Sequence, residues 1–142
     1  MNKINTRKAL NPAYRKHKPL RKDVANFIVQ LQDCINAVKL SDENSKYGES
    51  EEHIKSHFTT FFNSTFYADN YINTKDRIDL AIYTENNAKS DVAVIIEAKK
   101  PSNKAEFLRK DNLNKKALQE LLLYYLRERL ENNNNNIKHL IA

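Results

Sequence analysis

Apolar residues along this chain recur in two rhythms, and the points where the rhythm changes mark the expected elements. From Arg21 to Leu40, Val24, Phe27, Ile28, Leu31, Ile35 and Val38 fall at helical spacing, which predicts a support helix whose stripe packs against a sheet. Ser41 to Ser50 is polar, holds the single glycine, Gly48, and reads as a loop. A second helix is expected through Ile54, Phe58, Phe61, Phe62 and Phe66, with its aromatic side under the sheet. Ser50 is its N-cap, and Glu51 and Glu52 lie in its first turn, where carboxylates favour the helix dipole. Tyr67 to Lys75 reads as a polar connection.

From Arg77 the period drops to two. Ile78, Leu80 and Ile82 alternate with Arg77, Asp79 and Ala81, while Val92 to Ile96 is a nearly continuous apolar run and should be the more deeply buried strand. With the intervening turn centred near Ala88, a hairpin register sets Asp79 opposite Glu97 on one face. Directly opposed Cβ atoms lie about 4.5–5.5 Å apart. Lys99 shares the face of Glu97, and Ile96 and Ala98 turn into the core.

Pro101 has no N–H for a ladder, so the chain leaves the sheet there, through Lys100 and Lys104. A long helix follows, capped by Asn112 or Asn114, with Ala117, Leu118, Leu121, Leu122, Tyr125 and Leu126 as a broad stripe covering the other edge or face of the sheet. Asn132 to Asn136 reads as a spacer too polar to pack, and Ile137, Leu140, Ile141 and Ala142 begin another strand. The expected fold class is α/β: a central mixed sheet nucleated by the hairpin, a helical layer before it and a long helix after it.

Length and charge narrow the picture. At 142 residues the chain is one domain, expected over 21–142, after a basic arm over 1–20 that carries Lys3, Arg7, Lys8, Arg15, Lys16 and Lys18. Tyr14 and His17 in that arm suit phosphate contact, although a flexible tail or strap accounts for it as well. A net charge of +6 favours a polyanionic partner, nucleic acid first. Cys34, the single cysteine, excludes an internal disulfide and a thiolate cluster, and sits on an apolar helix face as a packing residue. No apolar run approaches the roughly eighteen residues of a membrane span and no signal pattern opens the chain, so a cytoplasmic location is expected.

The candidate chemistry lies at the end of the hairpin. Two carboxylates placed side by side repel unless a cation sits between them, and magnesium takes carboxylate, water and phosphate oxygens. Asp79, then Glu97-Ala98-Lys99 on the next strand, is a phosphodiesterase arrangement: the acids hold Mg²⁺, for which Mn²⁺ substitutes, and Lys99 orients or helps deprotonate the attacking water. The bland alternative is that Asp79 caps a turn and that Glu97 and Lys99 are a solvated strand end. His53 and His57, one turn apart, have zinc-pair spacing without an evident third ligand.

These residues resemble the PD-(D/E)XK nuclease superfamily, with Ile78-Asp79 in place of Pro-Asp. A wider likeness runs through NPAYRKHKPLR, SEEHIKSHF, INTKDRIDLAIY, IEAKKPSNKAEF and NKKALQELLLYYLRERL to IKHLIA. Together they look like the amino-terminal endonuclease domain of large single-chain type II restriction-modification enzymes. The resemblance implies a restriction-endonuclease-like core cut at its last strand, double-stranded DNA as partner, and covalently linked methyltransferase and target-recognition domains elsewhere in a longer polypeptide. It also implies an acid from the first helix of the fold, Glu52 with Glu51 as fallback, and the Ala98 carbonyl as a further metal ligand. Several relatives carry Gln-x-x-x-Tyr in the late helix; here the pattern is displaced, leaving Gln119, Glu120 and Tyr124 as candidates beside phosphate or the attacking water. Lys100 and Lys104 are candidates for the DNA backbone. The apolar strand at the end of the chain invites pairing with a second copy, a homodimer. Two rivals remain: a catalytically inert DNA-binding or assembly module of the same fold, and the nuclease domain of an ATP-dependent restriction or repair complex.

Overall fold

The structure, a computed structural model, describes residues 16, 18–43, 51–100 and 103–142, with Asp42, Glu43 and Glu51 described in backbone only. Most of the basic arm, the loop around Gly48, the Ser50 cap, the Glu51 side chain and Pro101 with Ser102 lie outside the described residues.

Helix α1 (Arg21–Glu43) and helix α2 (Glu51–Asn63) precede strands β1 (Ile72–Lys75), β2 (Ile78–Tyr83) and β3 (Val92–Ile96); helix α3 (Lys116–Leu130) and strand β4 (His139–Ile141) complete the order. The fold is mixed α/β, with a four-stranded sheet in the order β1-β2-β3-β4, antiparallel in its first two pairings and parallel between β3 and β4. Among the described residues no helix is long and apolar enough to cross a membrane.

The central hairpin has the expected register where it matters. Leu80 pairs with Ile96 and Ala81 with Ile95, so one step further sets Asp79 opposite Glu97. The slip of register lies at the far end, between Ile82 and Tyr83, next to the turn. There Asn87 accepts from the Lys89 N–H at 3.0 Å and the Ser90 hydroxyl accepts from the Glu85 N–H at 3.3 Å, side-chain bonds that close a loop rich in Asn and Ser.

Helices cover both faces of the sheet, which is why β2 departs from simple alternation. Leu80, Ile82, Val94 and Ile96 pack under Phe58 and Phe62 of α2, while Ala81, Tyr83, Val92 and Ile95 pack under Leu121 and Tyr124 of α3. Ile78 joins the α3 side, adjacent to the bulge where β1 shifts register between Asn73 and Lys75. Both central strands are therefore buried on two sides, and β3 is not distinctly deeper than β2.

Several further expectations need correction. The segment Tyr67 to Lys75 is not all connection: Ile72–Lys75 forms β1, joined to β2 by Asp76 and Arg77, and Asp76 takes φ 53°, a left-handed conformation that aspartate tolerates. Helix α1 packs on α2 rather than on the sheet, because α2 already occupies that face; Val24, Ile28, Leu31 and Ile35 stay substantially exposed. The buried stripe of α3 is Ala117, Leu121, Tyr124 and Glu128, narrower than expected and rotated so that Leu122 and Leu126 face outward. Its N-cap is Lys115, with no side-chain cap; Asn114 instead accepts from Gln119, and Asn112 from the Asn114 N–H.

The asparagine run is also more than a spacer. Asn134 is buried, and its amide donates to the Val92 carbonyl at 2.9 Å and to Glu128 at 3.0 Å. Lys75 and Asn132 complete the bonding of Glu128, so the one buried acid of α3 ties three segments together. Cys34 is a buried packing residue, as its helical position suggests, and burial pushes its thiol pKa up.

Candidate functional site

Asp79 is the second residue of β2, and Glu97 follows the last residue of β3, so the antiparallel pairing brings both to the same end of the sheet. The backbone holds both. The Glu97 N–H donates to the Ile141 carbonyl of β4 at 2.9 Å, and the Ala98 N–H donates to Asp79 Oδ2 at 2.9 Å. Ala98 is buried, as expected from the alternation.

Two lysines stand among these acids. Lys99 Nζ bonds Glu97 Oε1, lies 2.9 Å from Glu120 Oε2 and 3.7 Å from Glu106 Oε2. Lys55, on the first turns of α2, places Nζ 2.9 Å from Asp79 Oδ1 and 2.7 Å from Glu52 Oε1. Lys116 lies 3.6 Å from Glu106 and 3.8 Å from Glu120. Five carboxyl groups thus share three ammonium groups.

Glu97 is the most deeply buried of the five, at 4% exposed. Its Oε2 is a buried side-chain oxygen with no hydrogen-bond partner. Burial pushes its pKa up to about 7; the neighbouring Glu120 and Asp79 add to the rise and the Lys99 ammonium opposes it. Burial works against the charges of Lys99 and Glu120 too, but their mutual hydrogen bond and their partners win, raising the lysine and lowering the carboxyl. Lys55 behaves like Lys99: burial disfavours its charge, while Glu52 and Asp79 raise it above an ordinary lysine.

Glu97, Lys99 and Glu120 are therefore in contact, and Asp79 is linked to them through the Ala98 N–H. Glu52 is joined to the group through Lys55 and is itself 68% exposed, contacting neither Asp79 nor Glu97. Gln119 is exposed and turned to Asn114. Tyr124 is a core residue whose hydroxyl pKa is raised by burial and then by the charges of Glu97, Glu120 and Asp79. Lys100 is half-buried and Lys104 exposed at the exit from the sheet. His57 meets the Ser41 hydroxyl at 3.1 Å.

Reading the sequence missed Lys55 and Glu106. Lys55 carries one signal, since it falls three and seven residues before Phe58 and Phe62, on the margin of the buried stripe; Glu106 carries none.

Among the described residues, no three His, Cys, Asp or Glu side chains are grouped so as to hold a metal ion, since ammonium groups stand between the acids. Asp79 and Glu97 offer oxygen atoms of the kind a hard divalent cation takes, one of them buried and unpartnered, and each acid is paired with a lysine.

No curated protein and no solved structure matches the chain. A family model described as a domain of unknown function, DUF7149, matches residues 4–142, and the chain belongs to that family.

Proposed function

We propose that the chain is a Mg²⁺-dependent DNA endonuclease domain with a restriction-endonuclease-like core of the PD-(D/E)XK type, the cleaving part of a restriction-modification enzyme. The observation that carries this reading is that Asp79 and Glu97 lie at one end of the β2–β3 pair, Asp79 accepting from the Ala98 N–H and Glu97 bonded to Lys99, with the buried Oε2 of Glu97 unpartnered. A buried, unpaired carboxylate oxygen costs stability, and a cation received there would satisfy it.

Asp79 and Glu97 are the residues that would hold Mg²⁺, with the Ala98 carbonyl as a further oxygen. Bound there, the ion supplies positive charge to the scissile phosphate and lowers the pKa of the attacking water. The Ala98 N–H fixes one oxygen of Asp79, and the other is held by Lys55, which a bound ion would displace. Lys99, held charged by Glu97 and Glu120, acts as a proton-bearing donor that orients water or phosphate rather than as a base. Glu120 acts through Lys99 and is a positioning residue.

The rival reading, an inert DNA-binding or assembly module, draws on the lysines that already neutralise both acids. A plasmid-nicking assay with Mg²⁺ separates the two. Wild type is expected to nick supercoiled DNA and Asp79→Ala to lose about a hundredfold or more of that rate. Nicking that persists undiminished in Asp79→Ala removes the assignment.

A further inference from the structure

The lysine that sequence patterning did not single out is the one that touches Asp79. Lys55 is only 13% exposed, yet it comes from α2, on the other side of the sheet from Glu120. Its ammonium lies between a half-buried acid, Asp79, and an exposed one, Glu52. Two features set it apart from a surface ion pair. First, its partner Asp79 has its other oxygen fixed by the Ala98 N–H, so Oδ1, the oxygen that Lys55 holds, is the one left for any other cation. Second, Lys55 borders an open cavity of about 300 Å³ between α2 and β1, lined also by Ser56, Thr59, Asn73 and Thr74. Apart from Glu52 and Lys55 that lining carries no charge, so the one cation an anion entering the groove meets is Lys55, shared between Glu52 and Asp79.

We propose that Lys55 is a counter-ion that competes with the divalent cation for Asp79 and is drawn off by a phosphate oxygen of the DNA strand lying in the α2–β1 groove. Metal and substrate binding are then coupled through one side chain: phosphate takes the ammonium, and the freed carboxylate oxygen takes the metal. Glu52 is the resting partner that keeps Lys55 near the groove while it changes hands. The inference rests on the reading of Asp79 and Glu97 as metal-holding residues, and it gives the exposed acid of α2 a task other than ligation. Coupling between two ligands of one site typically amounts to about 5- to 150-fold.

The test uses Mn²⁺ alone as probe, with free ion followed by electron paramagnetic resonance on the full chain, wild type against Lys55→Met and Lys55→Gln. Glutamine keeps an N–H donor for Asp79 without the charge, and circular dichroism checks that each variant is folded. Both variants are expected to bind Mn²⁺ about tenfold more tightly than wild type. In EDTA, their binding to a DNA duplex is expected to lose about one unit of the slope of log affinity against log salt, the loss of one phosphate contact. Equal Mn²⁺ affinity in wild type and both variants overturns the inference and leaves the metal reading intact. No Mn²⁺ binding by any of the three overturns both. An unchanged salt slope overturns the handover to phosphate.

Discussion

The backbone N–H of Ala98 donates to Oδ2 of Asp79 at 2.9 Å, across the β2–β3 pair. The bond links the two halves of the candidate site directly: the acid of one strand is aimed by the peptide group between Glu97 and Lys99 of the other. Removing Asp79 therefore strands the Ala98 N–H and takes from the Lys55 ammonium one of its two acid partners. Asp79→Ala is expected to cost about 1–3 kcal/mol of stability, read from urea unfolding, while Asp79→Asn, which keeps an acceptor, costs less. Equal stability in all three proteins would show that the bond does not hold the site.

Glu97 makes folding sensitive to pH. Its carboxyl lies at about 7 in the fold against an ordinary value of 4.5, so the folded state keeps a proton that the unfolded chain releases. Stability contributed by that proton is present below pH 4.5 and is lost as pH rises through 7. About 3 kcal/mol is the ceiling for this loss. Glu97→Gln should flatten the loss between pH 5 and 8, as followed by thermal melts across buffers.

Magnesium should reverse the same slope. An ion held by Asp79 and Glu97 favours the charged carboxylate, so Mg²⁺ is expected to raise the melting temperature more at pH 8 than at pH 5.5. Chelation should abolish the difference, and Glu97→Gln should remove most of it.

Lys99 is the cation on which Glu97 and Glu120 both depend. Lys99→Met leaves a buried carboxylate without its partner, a change that typically costs about 3–5 kcal/mol. The cost should be smaller at pH 5.5, where Glu97 is protonated, than at pH 8. A loss of equal size at both values would mean that packing of the lysine stem, not its charge, is what matters.

Away from the site, Asn134 is expected to be the sensitive member of the asparagine run. Asn134→Ala leaves the Val92 carbonyl and Glu128 short of a donor and should cost about 1–3 kcal/mol. Asn135→Ala, at an exposed position, should stay within about 0.5 kcal/mol of wild type in the same denaturation experiment.

The hairpin was legible in the sequence because its determinants are local. Alternation in β2, the apolar run of β3 and a turn centred near Ala88 set the pairing of Leu80 with Ile96, and with it the approach of Asp79 to Glu97. Helices were legible for the same reason, since a period of 3.6 is written in neighbouring residues. Their seating was not. The stripe of α3 includes a glutamate, Glu128, which hydropathy places outside, and its burial depends on Lys75 and Asn134 from distant segments.

By itself, then, the sequence determined the α/β class, the main helices and the register of the central hairpin, which puts Asp79 and Glu97 at the same end of the sheet, all consequences of periodicity within short stretches. Tertiary structure alone decided that α1 rests on α2, that Lys55 reaches Asp79, that Glu120 rather than Glu52 stands beside Lys99, and that Asn134 is interior. Those outcomes turn on how each helix is rotated and where it crosses the sheet. That is fixed by packing between residues far apart in the chain, for which no local pattern exists.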